Sequence, residues 1–332
     1  MMKYTHCANS PKKISKLCLG TMMFADKCDY RQSEMIVKTA LDLGINFIDT
    51  ASMYSNGACE EYLGKALKGH RDEIFIGTKV AKGLDRKSII ESIDESLKRL
   101  QMDYVDLYMI HWPIPGMIIK EMMAGLNQVV KAGKATYVGC CNFPAWLLAS
   151  ANTVAAENGW PKLVCNQVAY NLFERGIEVE ILPQALAEGI TIMAYRPLAV
   201  GLLSGKFRQG KPFAENTRGT TDSRVITWFT QHSESIERFV EFAEKKGEQP
   251  AELAVAWVAY SPAVTAPIIG VSSVDQLKDS AKAVDIQLTP EEYKAITDMF
   301  NTEVKEEGLQ LFPGFKYNFP RLRRNLFLTK KE

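Results

Sequence analysis

The chain has 332 residues, of which 46% are hydrophobic and 24% charged, as in an ordinary soluble globular protein with a large core. Its 40 basic and 39 acidic residues leave a formal net charge of +1, which argues against proteins that bind nucleic acid or a membrane surface. The sequence has no run of about 18 apolar residues and no apolar signal core at its start, so we expect a mature cytoplasmic protein.

The cysteines give no sign of a metal or redox site. Seven are scattered along the chain, and none forms a C-x-x-C pair. An odd number without the spacing of metal ligands favours reduced thiols and no bound metal.

Eight short apolar runs alternate with segments of helical period, which is typical of βα units and a parallel sheet. Eight such units close most economically into a (β/α)8 TIM barrel, an α/β fold, and a doubly wound open sheet is the alternative. We interpret residues 1–332 as a single domain. The runs span residues 17–20, 46–49, 74–77, 105–110, 137–140, 164–167, 191–194 and 267–270.

Two sequence patterns predict helix starts. Ser88 and Glu91 have the spacing of a capping box, and apolar residues recur at helical spacing behind them. Ser273 and Gln276 have the same spacing after the eighth run. Both pairs therefore predict where a helix begins.

Three segments exceed a minimal barrel. We expect residues 3–16 to form a hairpin that plugs one end. A loop over residues 201–231 should precede two helices, and insertions of this length are usually functional. Residues 301–332 form a C-terminal tail with a basic end, which we interpret as a solvated terminus, with a partner contact or a substrate cover as the alternatives.

Polar side chains follow three consecutive runs, at the strand ends where barrel enzymes place their catalytic residues. The second run ends in Asp49 with Tyr54 five residues later, the third leads to Lys79, and the fourth leads to His111. An ion pair of Asp49 with Lys79 could by itself serve only to join two strands. The convergence of an acid, a phenol, a cation and an imidazole at one rim instead favours catalysis.

These four residue types suit carbonyl reduction. A carbonyl that accepts hydride becomes an alkoxide and needs a proton donor at its oxygen. Tyr54 can supply the proton, and we expect the Lys79 ammonium to lower its pKa, since a nearby cation favours the phenolate. Asp49 would keep Lys79 charged, and His111 would orient the carbonyl.

Several motifs resemble those of the aldo-keto reductase family, and the resemblance extends from residue 16 to about residue 300. It implies a (β/α)8 barrel that binds NADP(H) without a Rossmann domain, with Asp49, Tyr54, Lys79 and His111 as a catalytic tetrad. Tyr54 would be the general acid in reduction and the general base in oxidation. The chain has neither G-x-G-x-x-G nor Tyr-x-x-x-Lys, in agreement with this. The matching stretches are Leu19-Gly20-Thr21-Met22, Gly44 to Ala51 with Tyr54, Gly77-Thr78-Lys79, and Asp103 to Tyr108 leading to His111.

The resemblance also implies cofactor contacts. Cys141, Asn142 and Gln167 would bind the nicotinamide carboxamide, and Tyr195 would stack on its ring. Cys141 stands where the family has serine, and a thiol is a weak donor, so this anchor should be looser. The other implied contacts are Gly20, Thr21, Met22, Asp49, Arg196, Pro197, Leu198, Ala199, Gly201, Lys206, Gly270, Ser272, Gln276, Asp279 and Ser280.

The cofactor preference depends on the adenosine end. Many family members have arginine where this chain has Ser272, and arginine is the natural bidentate partner of a 2′-phosphate. A Ser-Ser version also occurs in NADP-binding members similar to potassium-channel β subunits. The resemblance therefore favours NADP(H), and NAD(H) stays an alternative.

The substrate is expected to be a small carbonyl or alcohol: an aldehyde, a ketone or a keto-sugar. Met23, Phe24 and Trp112 suggest an apolar wall beside the reacting carbon. The alternative function is an NADPH-binding regulatory subunit with little turnover that acts through a protein partner. A purely structural barrel is disfavoured because it gives the four polar residues no reason to converge. We expect no nucleic-acid or membrane partner, and a homo-oligomer stays open.

Overall fold

The computed structural model describes residues 1–213 and 222–300. Eight parallel strands form a closed barrel in the order β10-β3-β4-β5-β6-β7-β8-β9, which confirms the predicted barrel over the open sheet. Its strands are β3 (Cys18–Gly20), β4 (Phe47–Asp49), β5 (Phe75–Val80), β6 (Val105–Ile110), β7 (Ala135–Cys141), β8 (Leu163–Ala169), β9 (Thr191–Tyr195) and β10 (Ala266–Gly270).

The helices surround this barrel and cover its outer face. They are α1 (Tyr30–Asp42), α2 (Ala58–Ala66), α3 (Arg86–Leu100), α4 (Ile119–Lys131), α5 (Ala145–Asn158), α6 (Ile181–Glu188), α7 (Ser223–Lys246), α8 (Pro250–Tyr260), α9 (Val274–Lys282) and α10 (Pro290–Met299). Short 3₁₀ helices span Tyr54–Gly57, Gly176–Glu178 and Ala199–Ser204.

Alternation along the strands gives the barrel two apolar layers. Outward residues such as Ile48 and Ile76 pack against the helices, while inward residues such as Phe47 and Phe75 fill the barrel. The third strand continues to Val80, beyond its predicted end at residue 77, so Lys79 lies within the strand. Asp49, Lys79 and Gln167 take inward positions near the carboxyl ends of β4, β5 and β8, and His111 follows β6, so these polar side chains share one rim.

The N-terminal hairpin is present as predicted. Strands β1 (Tyr4–His6) and β2 (Lys13–Ser15) pair antiparallel, and Ile14 is buried with Phe47 in the barrel interior. The Ser15 hydroxyl also accepts the backbone N–H of Phe47 at 3.2 Å. The hairpin thus closes the amino end of the barrel and leaves the opposite rim for the site.

The predicted capping boxes are partly wrong. Helix α3 begins two residues before Ser88, because the Asp85 carboxylate accepts the Ser88 N–H at 3.1 Å and caps the helix itself. Ser273 does cap α9, but the Gln276 side chain accepts from the Ser272 N–H and not from that of Ser273. Only the first half of that box forms.

The insertion after β9 is more helical than predicted. The expected loop over residues 201–231 gives way to the 3₁₀ helix Ala199–Ser204 and to α7, which begins at Ser223. The Asp222 carboxylate starts α7 by accepting the Arg224 N–H at 3.0 Å. The predicted tail, residues 301–332, lies outside the described residues.

Within residues 1–213 and 222–300, no helix combines the length and the hydrophobicity needed to cross a membrane. The same part of the chain contains no group of three or more His, Cys, Asp or Glu residues arranged to hold a metal ion. All seven cysteines are buried free thiols.

Candidate active site

A buried ion pair lies at the centre of the carboxyl rim. The Lys79 ammonium is 2.7 and 2.8 Å from the two carboxylate oxygens of Asp49, and both side chains are buried. It also donates to the Thr50 carbonyl at 2.7 Å. The Gln167 amide donates to Asp49 at 2.8 Å, so the carboxylate is held from two sides.

Tyr54 reaches this pair from the turn after β4. Its hydroxyl lies 3.4 Å from the Lys79 nitrogen, and the ammonium is 5.0 Å from the centre of the phenol ring. The turn is strained, because Ser55 and Asn56 have φ values of 46° and 53°. Ser55 is tied down by its hydroxyl, which donates to the Phe24 carbonyl at 3.1 Å.

The protonation states differ from the expectation. Burial raises the pKa of Tyr54, and the charge of Lys79, which lowers it, is too weak to compensate. The predicted net lowering is therefore wrong for this structure. Burial alone would lower the pKa of Lys79, but the charges of Asp49 and Tyr54 raise it above its ordinary value. Near neutral pH the site contains a phenol beside an ammonium.

His111 follows β6 and contacts the phenol edge-on. The centre of its ring is 5.7 Å from that of Tyr54. The His111 ring also stacks on Trp112, with the ring centres 3.7 Å apart and an angle of 4° between the ring planes. Burial, together with the charge of Lys79, lowers the pKa of His111 to about 2, so the imidazole is neutral. Its buried Nδ1 has no hydrogen-bond partner among the described residues, which leaves bonding capacity for another group.

The predicted carboxamide contacts surround the same rim. Asn142 has a left-handed backbone (φ 60°), and its N–H donates to the Gln167 carbonyl at 2.8 Å. The Tyr195 hydroxyl donates to the Asn142 side chain at 2.7 Å. The Asn142 amide in turn reaches the His111 carbonyl at 3.5 Å. These hydrogen bonds connect the tetrad to the residue after β7 and to the carboxyl ends of β8 and β9.

Cys141 sits differently from a polar anchor. Its thiol is fully buried inside the barrel, 4.0 Å from the sulfur of Met109, and burial raises its pKa. A neutral thiol facing another sulfur is a poor hydrogen-bond donor. The structure thus places Cys141 at the predicted position but in an apolar setting.

The segment after β9 has a strained backbone. Arg196, Ala199 and Val200 are non-glycine residues with φ values of 58°, 47° and 57°. Gly201 has φ 100°, and a Cβ atom there would lie 3.1 Å from the Lys206 ammonium, which crosses over it. Strain of this kind concentrates at functional sites. Pro197 and Leu198 lie in the same turn.

The predicted adenosine contacts lie in the turn after β10 and along α9. Gly270 is exposed, and no atom lies within 4 Å of a Cβ built on it, so the surface beside it is open. The Ser272 hydroxyl and N–H both donate to the Gln276 side chain, at 3.2 and 2.9 Å. Asp279 pairs with Lys282 at 2.8 Å on the exposed face of α9. Ser280, on the same helix, is buried.

Of the predicted cofactor contacts at and after the end of β3, Gly20 and Thr21 are packed against neighbouring strands and Met22 is open to solvent. The N–H and the hydroxyl of Thr21 both donate to the Asp49 carbonyl at 3.0 Å, and Gly20 permits close packing against Ile268 on β10. Met22 is half exposed.

Of the predicted substrate contacts, Met23 and Trp112 are partly buried at the rim. Phe24 is different, because its side chain is completely buried in the layer between barrel and helices. Phe24 therefore has no exposed surface for a substrate to contact. The prediction that it lines the substrate site is wrong, and its side chain belongs to the core.

Sequence reasoning missed two side chains near this rim. Asn171 is fully buried and donates to the Arg196 carbonyl at 3.1 Å, which helps hold that strained turn. Arg224 forms an ion pair with Asp222. The hydrogen bonds to Asp222 raise the pKa of Arg224, and Tyr195 adds a smaller contribution in the same direction. The signal for Arg224 was the Asp222 cap, which was overlooked because the segment was assigned to a loop.

The chain is similar to known proteins along most of its length. A sequence model of the aldo/keto reductase family matches residues 16–300. An uncharacterized oxidoreductase of Bacillus subtilis, YrpG, is 35% identical over 319 residues, which cover 90% of this chain and 96% of that protein. Norsolorinic acid reductase B of Aspergillus parasiticus is 33% identical, covering 92% and 84%. A probable voltage-gated potassium channel subunit beta of Arabidopsis thaliana is 33% identical, covering 87% and 94%.

The family match covers most of the chain, and all three relatives align over most of their own length. The closed barrel of eight parallel strands is the fold that the resemblance implied. The chain therefore belongs to the aldo/keto reductase family of oxidoreductases.

Proposed function

We propose that the chain transfers hydride between NADP(H) and a carbonyl or alcohol, with Tyr54 as the general acid and base. The observation that carries this is the contact of the Tyr54 hydroxyl with the buried Lys79 ammonium at 3.4 Å, itself fixed by Asp49 at 2.7 Å. A purely structural ion pair would not need a phenol and a neutral imidazole beside it.

The residues around the tetrad fit a nicotinamide nucleotide. Asn142 and Gln167 offer amide groups beside the tetrad, and the Tyr195 ring lies at the same rim. Lys206 offers a cation for the pyrophosphate, and its position depends on the bare Cα of Gly201. When bound, the reduced nicotinamide would supply the hydride.

The proton comes from this chain. We place the carbonyl oxygen between the Tyr54 hydroxyl and the His111 ring, since the Tyr54 and His111 rings meet edge-on with their centres 5.7 Å apart. Neutral His111 would hydrogen-bond the oxygen and orient it. As negative charge develops there, the Tyr54 proton moves to it, and the Lys79 ammonium stabilises the phenolate that remains.

The raised pKa of Tyr54 suits this order of events. A phenol that stays protonated keeps its proton until the alkoxide forms, whose basicity then draws the proton across. In alcohol oxidation the same groups run in reverse, and Lys79 favours the phenolate that acts as base. Asp49 keeps Lys79 charged and fixed in both directions.

NADP(H) is the cofactor we propose, on the resemblance of Ser272 and Ser273 to the Ser-Ser version found in NADP-binding family members. The serine at position 272 makes this preference smaller than an arginine would, since its hydroxyl is engaged with Gln276. For substrates we propose aldehydes, ketones or keto-sugars on the family resemblance, and one relative is named as a reductase of norsolorinic acid.

The regulatory alternative rests on the relatives named as potassium channel β subunits. The experiment that separates the two functions is a fluorescence titration with NADPH and with NADH, followed by turnover on a panel of carbonyls. We expect tighter binding of NADPH and steady reduction of at least one aldehyde or ketone. Tight binding without turnover on the panel would favour the regulatory subunit, and failure to bind either nucleotide would refute the proposed function.

A further inference from the structure

A second buried carboxylate lies behind the tetrad, in the layer between the barrel and the helices. Glu60 on α2 is completely buried. One of its oxygens accepts from the Thr78 hydroxyl of β5 at 2.5 Å, and the other accepts from the Arg99 guanidinium of α3 at 2.7 Å. Both oxygens are thus used, and each bonds a different structural element.

The Thr78 bond connects Glu60 to Lys79. Thr78 and Lys79 are consecutive in β5, where Thr78 faces the helices and Lys79 faces the barrel interior. A strand residue cannot shift along or across the sheet without its neighbour, because the peptide unit between them is rigid. Holding the Thr78 hydroxyl therefore holds the base of the Lys79 side chain.

The Arg99 bond connects Glu60 to Tyr54. The strained turn Tyr54–Gly57 runs directly into α2, which carries Glu60 on its first turn. Gly57 has φ 95°, and a Cβ there would lie 2.7 Å from Cδ of Arg99, so the arginine stem packs directly on the turn. Glu60 fixes that stem through its carboxylate.

We propose that Glu60 is a positioning residue that sets the spacing between the Tyr54 hydroxyl and the Lys79 ammonium. The proposal rests on the function proposed above. Through Thr78 it holds the strand of one partner, and through Arg99 it holds the turn of the other. The direct contact between the partners, 3.4 Å, is too long to fix their spacing alone.

The strained turn makes such a device necessary. Ser55 and Asn56 adopt left-handed conformations that non-glycine residues keep only when their surroundings hold them. A relaxed turn would move the phenol, and a displacement of about 1 Å can cost on the order of 100-fold in rate.

The test compares variants that differ by one group. Thr78→Val removes the hydroxyl that bonds Glu60 and keeps the shape, whereas Thr78→Ser keeps the hydroxyl. Glu60→Gln removes the buried charge, and Glu61→Gln makes the same change at the exposed neighbour on α2. For each full-length protein we would measure nucleotide affinity, single-turnover hydride transfer to a carbonyl, and the pH profile of alcohol oxidation.

We expect Thr78→Val and Glu60→Gln to slow hydride transfer by roughly 10- to 100-fold with nucleotide affinity nearly unchanged. Alcohol oxidation should need a higher pH, because a more distant ammonium favours the phenolate less. Thr78→Ser and Glu61→Gln should behave like the parent protein. A purely structural role would lower thermal stability without moving the pH profile.

Wild-type rates and pH profiles in Thr78→Val would overturn the proposal, as would equal losses in Thr78→Ser and Thr78→Val. Should Glu60→Gln not fold, the pair at Thr78 decides alone. A parallel Tyr54→Phe variant distinguishes failure of the proposed function from failure of the positioning role of Glu60. If Tyr54→Phe keeps the parent rate, the proposed function fails; if it is inactive while Thr78→Val is normal, only the positioning role fails.

Discussion

Lys79→Met is the substitution whose energetic cost follows most directly from the structure. Methionine has nearly the volume of lysine but no charge, so it leaves the buried Asp49 carboxylate without its cation. The Gln167 amide would then be the one side-chain donor to that carboxylate within the described residues. Removing one partner of a buried ion pair typically costs about 3–5 kcal/mol.

The double variant Asp49→Asn/Lys79→Met removes the other charge as well. Because no uncompensated charge then stays buried, we expect a loss smaller than the sum of the two single losses by about 2–3 kcal/mol. Urea unfolding followed by circular dichroism measures all four proteins of this cycle. If the two single losses sum to the loss of the double variant within about 0.5 kcal/mol, the ion pair is not a coupled unit and the reasoning is refuted.

The pH range of this coupling follows from the sign of the shift. The folded pKa of Lys79 lies above its ordinary value of 10.5, so its contribution to stability is complete below 10.5 and declines above it. The cycle should therefore give the same coupling energy at pH 6 and at pH 9.

Three further predictions follow from the rim. The folded protein keeps His111 neutral down to about pH 2, while the unfolded chain protonates it below pH 6.5. This residue therefore lowers the free energy of unfolding by about 1.4 kcal/mol for each pH unit below 6.5, and His111→Gln should remove that loss in urea unfolding. Cys141→Ser should leave NADPH affinity unchanged in a fluorescence titration, since the side chain at this position is completely buried beside Met109; binding about fivefold tighter, as a new hydrogen bond of about 1 kcal/mol would give, would show that position 141 contacts the nucleotide. Gly201→Ala should cost about 1–2 kcal/mol of stability and also weaken NADPH binding by displacing Lys206, whereas Gly133→Ala, at φ 71° with open space around it, should cost stability alone.

The barrel could be predicted from the sequence because its signal is periodic. Each strand is a short apolar run that must be buried on both faces, and the count of eight limits the topology to few choices. The tetrad was accessible from the same runs, since Asp49, Lys79 and His111 lie at or just after the predicted strand ends, where barrel enzymes place their catalytic residues. Tyr54 was a candidate proton donor from its place five residues after Asp49, and the resemblance added its role as general base in oxidation.

What could not be predicted depends on contacts between distant residues. Asp85 and Ser88 are both good helix caps, and sequence alone cannot rank them. Burial of Phe24 depends on how α2 packs over the turn after β3. The pKa of Tyr54 is set by the balance between desolvation and one ammonium, and that balance requires the distances themselves.

The strained residues are a further gap. Asn142 and Arg196 adopt left-handed backbones that no residue pattern announces, since only glycine signals such a conformation reliably. Both positions were proposed from the family resemblance alone. Their strain at the rim is an independent physical indication that this segment serves a function.

The central claim is that Tyr54 donates the proton to the developing alkoxide. The most direct test is single-turnover oxidation of bound NADPH by a carbonyl substrate in the parent protein and in Tyr54→Phe, followed by nucleotide absorbance. We expect Tyr54→Phe to bind NADPH with parent affinity and to lose at least about 100-fold in the rate of hydride transfer. A rate equal to that of the parent protein would contradict the assignment of Tyr54 as the proton donor.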